Sequence, residues 1–437
     1  MKTARKVWLI AGSRTPIGSY GRSLRKVSAA ELTEHVFVNA LRRAGVRAAQ
    51  LDGIYLGNKY QGCTFFVNPA RVAQLNAGIP ACVPAATVHR ECGSGMEAVV
   101  EAMKEVALGL GDIYLAGGVE SMSTVPYLLP GSLRNTSWFS RLLPKFAPLP
   151  VVLSVADDGI APRKLVWDPT SVYMAFTAQL VADTYGISRQ EMDEYALRSQ
   201  MLASEAQLCG RFAQEIDPIA APGTGFLTTD EHPRSTSLEK LASLKPAFNQ
   251  KPKAGLAGVV EKAVQWLLGV KLQPFNQLAK DITAGNASGI NDGACVLVVA
   301  SEEKSRDLCL EPLAELVDYA VCGVDPEQMG LGPVAAINKL LEKNKLTVDD
   351  IDLWEINEAF AAVYLACEKL LKLDRNKVNV NGGAIAIGHP IAMSGARIIL
   401  TLAHELKRRN LRRGVAAICI GGGQGISLLI QVPQSGA

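Results

Sequence analysis

The sequence predicts an α/β protein made of two similar halves, with a largely helical segment inserted into the first. Three observations carry this. Strand-like and helix-like runs alternate along nearly the whole chain. The early part repeats late: LDGIYLGN at 51–58 lies over IDLWEINE at 351–358, GDIYLAGGVESMS (111–123) resembles GVAAICIGGGQGIS (414–427), and ATVHRECGSGMEAVVEAM (86–103) resembles NVNGGAIAIGHPIAMSGARIILTL (379–402), so an internal duplication is the economical explanation. Between them, Pro126, Pro130, Pro144, Pro148, Pro150, Pro162 and Pro169 oppose continuous sheet or helix and mark an insertion over about 125–282.

Taken in order, VWLIAG (7–12) reads as a strand and AAELTEHVFVNALRRAGV (29–46) as a helix ending near Gly45. GIYLG (53–57), DIYLAGG (112–118) and CVLVVA (295–300) read as buried strands. Within the insertion, 174–209 reads as one helical stretch. LAGVVEKAVQWLLGVKL (256–272) reads as an amphipathic helix between Pro252 and Pro274, at the substrate entrance or a partner surface; a helix packed onto the cap's own core and a membrane-surface helix are the other readings. The last part predicts a helix over 333–346, the strand LWEIN (353–357), a helix with Phe360, Val363, Cys367 and Leu370 on one face, and the strands VAAICIGG (415–422) and SLLIQV (427–432). The implied units are 1–124 with 283–301, then 125–282, then 311–437.

A chain of 437 residues with 48% apolar and 20% charged types is an ordinary globular composition. Its net charge of +3 provides no broad field for nucleic acid or an anionic membrane, so any anionic ligand needs local positive charge. Nine cysteines, without a CxxC pair or small-scaffold spacing, read as reduced thiols and a cytoplasmic setting. With no HExxH and five histidines, a metal site is not expected. The basic N-terminus lacks the long apolar core of a signal peptide. Two stretches without Asp, Glu, Lys or Arg, 378–396 and 414–432, have the length of a membrane span, but glycine and proline break them, so no span is expected.

Four residues stand where chemistry is plausible. Cys92, in VHRECGSGMEAV, follows a strand and precedes a helical apolar stripe. Gly93 and Gly95 would leave the backbone open to approach, and the helix N-terminus would lower the thiol pKa. A small buried cysteine is the alternative. His389, in GGAIAIGHPIAMSGAR, sits in a glycine-rich turn and reaches a substrate or serves the turn itself. Cys419 ends an apolar strand before Gly421, Gly422 and Gly423, whose N–H groups could meet an oxyanion; a core cysteine before a glycine hairpin is the other reading. Asn357 ends a strand and begins a helix, where an N-cap is its ordinary role. Gly330, Gly332 and Ala335 match GxGxxA, but no strand precedes them, so a dinucleotide site lacks its context.

Together CGSGMEAV, AGGVESMS, TAGNASGINDGA, NEAFA, GGAIAIGHP and CIGGGQG resemble the thiolases, from SRTPIGSYG (13–21) to nearly the C-terminus. The resemblance implies a five-layered αβαβα fold of two duplicated halves, with a loop domain covering coenzyme A. It implies reversible thiolytic cleavage of 3-ketoacyl-CoA, or Claisen condensation of two acyl-CoA molecules, through a cysteine acyl-enzyme. Cys92 would be the nucleophile and His389 the acceptor of its proton. Cys419 would be the base at the α-carbon. Asn357 would hold a water in one oxyanion hole, and the N–H groups of Cys92 and Gly421 would form the other. Ser288, Ala284 and Gly285 would lie by the pantetheine, Arg234 by the nucleotide end, and Met174 and Phe360 along the acyl pocket. Coenzyme A and acyl-CoA would be substrates, with no metal or redox cofactor. A homo-oligomer is implied, and a β-oxidation enzyme is a candidate partner.

The chain departs from the family pattern at His89 and Glu91, at Phe176 in MAFTAQ, at Ala392 after GHP, and over 250–280, which looks like added sequence. These changes touch acyl-chain space and partner surface. A decarboxylating ketoacyl synthase is the first alternative, although that class pairs two histidines with one cysteine. A non-catalytic acyl-CoA or lipid carrier on the same scaffold is the second, although all four catalytic groups are present.

Overall fold

The computed structural model describes residues 5–61, 68–125, 174–223, 225–247 and 279–433. Strands β1 (Val7–Arg14), β2 (Gly53–Gly57), β3 (Ala85–Val88), β4 (Ile113–Ser121) and β5 (Asn291–Ser301) pair in the order β3-β2-β4-β5-β1. Strands β6 (Ala314–Gly323), β7 (Leu353–Ile356), β8 (Arg413–Ile420) and β9 (Gln424–Gln431) pair in the order β7-β8-β9-β6. In the first set β3, β2 and β4 are parallel while β5 and β1 run antiparallel to their neighbours. In the second set β7 and β8 are parallel while β9 and β6 alternate, and Val378 stands in the place of β3 through a parallel bridge to Trp354. The same topology therefore occurs twice, as the internal repeat predicts. Trp8 opposite Glu315 and Leu9 opposite Ala314 join the two sets edge to edge.

Among the described residues, the α-helices of eight residues or more are α1 (Ala29–Ala44), α2 (Pro69–Asn76), α3 (Ser94–Leu108), α4 (Met174–Tyr185), α5 (Arg189–Leu208), α6 (Gly332–Asn344), α7 (Ala361–Leu371) and α8 (Ser394–Arg409). Alternation along β5 shows how the layers arise. Val296 and Val298 join Leu32, Val36 and Phe37 of α1, whereas Leu297 and Val299 join Val99 of α3 and Ile399 of α8. A strand buried on both faces needs no polar side, which is why CVLVVA reads as a continuous apolar run. On the far side, Ile337 and Leu340 of α6 and Tyr364 of α7 pack with Trp354, Val415 and Ala417. The stack is α1/α2, sheet, α3/α8, sheet, α6/α7: the expected five layers.

Helices α4 and α5 of the insertion pack against α7 through Val181 and Tyr195. The stretch at 174–209 is two helices rather than one, because Gly186 takes φ +62° and Ser188 opens α5 with a capping box to Glu191. Buried Arg14 at the end of β1 locks the insertion down, with Nε 2.7 Å from Glu215 and Nη1 2.7 Å from Asp230. On α7, Leu370 is 41% exposed while Val363 and Cys367 are buried, so the inward stripe passes through Leu371 instead. The helix expected over 256–272 lies outside the described residues. Among the described residues no helix is long and apolar enough to cross a membrane. The stretch 378–396 is a turn-rich segment entering α8, and 414–432 is the β8–β9 pair.

Candidate active site

Cys92 occupies the turn between β3 and α3, preceded by Glu91 at φ +44°, a left-handed conformation uncommon for a glutamate. The glycines beside it serve close packing, not an open approach as expected. A β-carbon on Gly93 would lie 2.7 Å from Ile420 Cδ1, and one on Gly95 would lie 2.3 Å from the Ala392 carbonyl oxygen. Without side chains at these points, the turn after β8 and the segment after His389 close onto Cys92. Arg90 links the same turns, donating to Glu97 on α3 at 3.1 Å and to Gln424 at 3.0 Å.

The half-buried Cys92 thiol is pushed up to about 11, not lowered. Burial is the largest cause, and it outweighs the Lys59 cation and the N–H groups of Gly421 and Cys92 itself, which favour the thiolate. The helix begins only at Ser94, so its dipole acts from two residues away.

His389 is buried, and its backbone N–H donates to Asn291 Oδ1 at 3.0 Å. Its Nδ1 lies 2.5 Å from Ser394 Oγ, which donates to the Pro390 carbonyl at 2.8 Å. With its one proton committed to Pro390, Ser394 accepts from Nδ1–H, and this pattern assigns Nε2 as the unprotonated nitrogen. Among the described residues, buried Nε2 has no partner. Burial, aided by Arg397 and Lys59, lowers the imidazole to about 3, so the ring is neutral at ordinary pH.

Cys419 on β8 is 1% exposed and packs with Met329, Ala359 and Val363, flanked by half-buried Met174 and Phe360. Burial raises its thiol well above the ordinary value, and the neighbouring Cys92 adds to the effect. Asn357 is buried, its N–H bonded to the Ala417 carbonyl at 2.9 Å, while both side-chain polar atoms lack partners among the described residues. It is not a helix cap, since α7 is capped at Phe360. The next residue, Glu358, is fully engaged by Tyr195, Ser199, Asn379 and the Ile385 N–H. A β-carbon on Gly421 would lie 3.7 Å from Glu91 Cγ and 3.8 Å from Met174 Sδ, so these three border one space at Cys92.

The loop carrying exposed Ala284, buried Gly285 and Ser288 is tied to the Asn357 segment, with Ser288 N–H on the Ala359 carbonyl at 2.9 Å and Ala361 N–H on Asn286 at 2.8 Å. Exposed Arg234 joins it by donating to the Ala284 carbonyl at 2.5 Å. The structure thus brings Gly421, Glu91 and Met174 together beside Cys92, packs Cys419 with Met174 and Phe360, ties the Ser288 loop to the Asn357 segment, and sets Ala392, three residues past His389, against Gly95. Sequence reasoning missed Ser394, five residues past His389 at the start of α8, and Lys59, whose only local signal was a cation directly after a buried strand.

The N-terminal domain of thiolase matches residues 7–258 and the C-terminal domain matches residues 310–432. The chain belongs to the thiolase family. This thiolase is 42% identical to an acetyl-CoA acetyltransferase of Syntrophomonas wolfei over 440 residues, 98% of this chain and 99% of that protein. It superposes on the acetyl-CoA acetyltransferase of Bacillus anthracis with TM-score 0.83 at 41% identity, covering 99% of this chain and 100% of the other. Human mitochondrial 3-ketoacyl-CoA thiolase, solved in complex with CoA, gives TM-score 0.84 at 37% identity over 98% of each chain. The thiolase is an acyl-CoA C-acyltransferase.

Proposed function

We propose that this thiolase works through an acyl-enzyme on Cys92, and that the four groups around it divide two half-reactions. In acylation, His389 Nε2 takes the Cys92 proton, the sulfur attacks the thioester carbon, and coenzyme A leaves with that proton. In carbon–carbon bond formation, the Cys419 proton moves to His389 and the Cys419 sulfur removes an α-proton from the second acyl-CoA. The enolate then attacks the acyl carbon, and the Cys92 sulfur leaves and recovers the proton from His389. Thiolysis is the same path reversed. One thioester oxygen would meet the N–H groups of Cys92 and Gly421; the other would meet His389 and a water on Asn357.

The observation that carries this reading is the buried Nε2 of His389, without a partner among the described residues and with its tautomer set by Ser394, in a site where the Cys92 thiol adds to the rise of the buried Cys419 thiol. The unpartnered amide of buried Asn357 supports it, since a buried polar group without a partner is costly unless a ligand or water completes it. The loop of Ala284, Gly285 and Ser288, with Arg234, is the proposed coenzyme A contact, and Met174 with Phe360 the acyl wall. We assign 1–124 with 283–301 and 311–437 to the two halves and 125–282 to the cap, and infer a cytoplasmic homo-oligomer without metal or redox cofactor, with a β-oxidation enzyme as its candidate partner. The test is Cys92→Ala. Loss of coenzyme A-dependent cleavage of 3-ketoacyl-CoA by more than roughly 10³-fold is expected, because the covalent route disappears; retained cleavage would overturn the reading.

A further inference from the structure

An ion pair stands beside the nucleophile. Lys59 Nζ lies 2.7 Å from Glu91 Oε2, and exposed His89 adds a contact at 3.5 Å to Glu91 Oε1. Both partners are largely covered, with side-chain exposures of 18% and 33%. The backbone holds the pair in place. Lys59 N–H and Tyr60 N–H each donate to buried Glu120 at 3.2 Å, and Glu120 also receives the Ala392 N–H at 3.3 Å, just past His389. On the other side, the left-handed turn at Glu91 aims its side chain toward Gly421 and Met174.

The two thiols thus face unlike walls. Cys419 is surrounded by Met329, Ala359 and Val363, whereas Cys92, packed on one side against the apolar core, directly follows Glu91 and feels the charges of the Lys59–Glu91 pair. An acyl group on Cys92 with its oxygen toward the Cys92 and Gly421 N–H groups would extend its chain past Glu91 and Lys59. Beyond the proposed Met174 wall, a methylene that reaches the pair gains no apolar burial, and it displaces water from a charged pair at a cost. A short acyl group ends before the pair, and a hydroxyl-tipped one can hydrogen-bond to it.

We propose that the Lys59–Glu91 ion pair is an acyl-group selector, restricting the acyl-enzyme to acetyl and other short or polar-ended groups. This rests on the Cys92 acyl-enzyme proposed above. The test is the rate of adduct formation at Cys92, followed by mass spectrometry on the full chain with acetyl-, hexanoyl- and ω-hydroxyhexanoyl-CoA. In the wild-type protein, acetyl should outpace hexanoyl, and ω-hydroxyhexanoyl should outpace hexanoyl. In Lys59→Met/Glu91→Leu, the hexanoyl-to-acetyl ratio should rise at least tenfold, since each methylene placed on an apolar wall is worth about fourfold. The wild-type comparison stands even where the double variant does not fold. Equal wild-type rates for hexanoyl and ω-hydroxyhexanoyl, or an unchanged ratio in a folded variant, would overturn the selector alone. No adduct at Cys92 with any of the three would overturn the acyl-enzyme and the selector with it.

Discussion

Ser394 Oγ lies 2.5 Å from His389 Nδ1 while giving its own proton to the Pro390 carbonyl. One hydroxyl at the start of α8 therefore sets the His389 tautomer and leaves Nε2 as the unprotonated nitrogen. Ser394→Ala leaves Nδ1 without a partner and lets the ring take the other tautomer. Acylation of Cys92 should slow by about ten- to a hundredfold, the usual scale for impaired proton transfer. Ser394→Thr, which keeps the hydroxyl, should restore most of the rate. Rapid-quench measurement of the first half-reaction reads this directly, and equal rates for the alanine variant and wild type would refute the role.

The buried thiol predicts a pH profile. Burial disfavours the charged form, so in the free protein the Cys92 thiolate fraction should grow tenfold per pH unit up to about 11. Alkylation of Cys92 by iodoacetamide, resolved residue by residue because Cys82, Cys209 and Cys309 are exposed, should still be climbing above pH 9. A plateau near neutrality would mean that the helix terminus and Lys59 win instead.

His389 contributes to acid sensitivity. Its folded value near 3 lies below its ordinary 6.5, so the unfolded chain binds the proton first. Stability from this group is complete above about pH 6.5 and falls progressively as the pH drops toward 3. Urea midpoints for wild type and His389→Asn should converge as the pH is lowered through that window; a constant separation would contradict the linkage.

Arg14 holds the insertion to the first sheet. Arg14→Ala would leave Glu215 and Asp230 buried without their cation, a loss of about 3–5 kcal/mol. Urea denaturation should show that loss, while Arg42→Ala, whose partly exposed guanidinium pairs with Asp217, should cost about 1 kcal/mol or less.

The fold was largely legible from the repeat, because strands buried on both faces leave unbroken apolar runs and both halves carry them. Cys92, Cys419 and His389 stand out in the sequence because glycines crowd their turns, and Asn357 because it ends a strand; the roles proposed for them rest on that reading. What escaped depends on distance across the chain. Ser394 acts on His389 only because the turn folds back on itself, and Lys59 reaches Glu91 only because β2 and β3 lie side by side. The Cys92 pKa was misjudged for a related reason: helix position is visible in sequence, but the burial that outweighs it comes from a core assembled from residues hundreds of positions apart.

The most direct measurement is peptide-mapping mass spectrometry of Cys419→Ala after brief exposure to acetyl-CoA. If Cys92 is the nucleophile and Cys419 the base of the second step, the variant should carry a stoichiometric acetyl adduct on Cys92. It should also release no condensation product. An unmodified Cys92, or condensation at the wild-type rate, would contradict that division of labour.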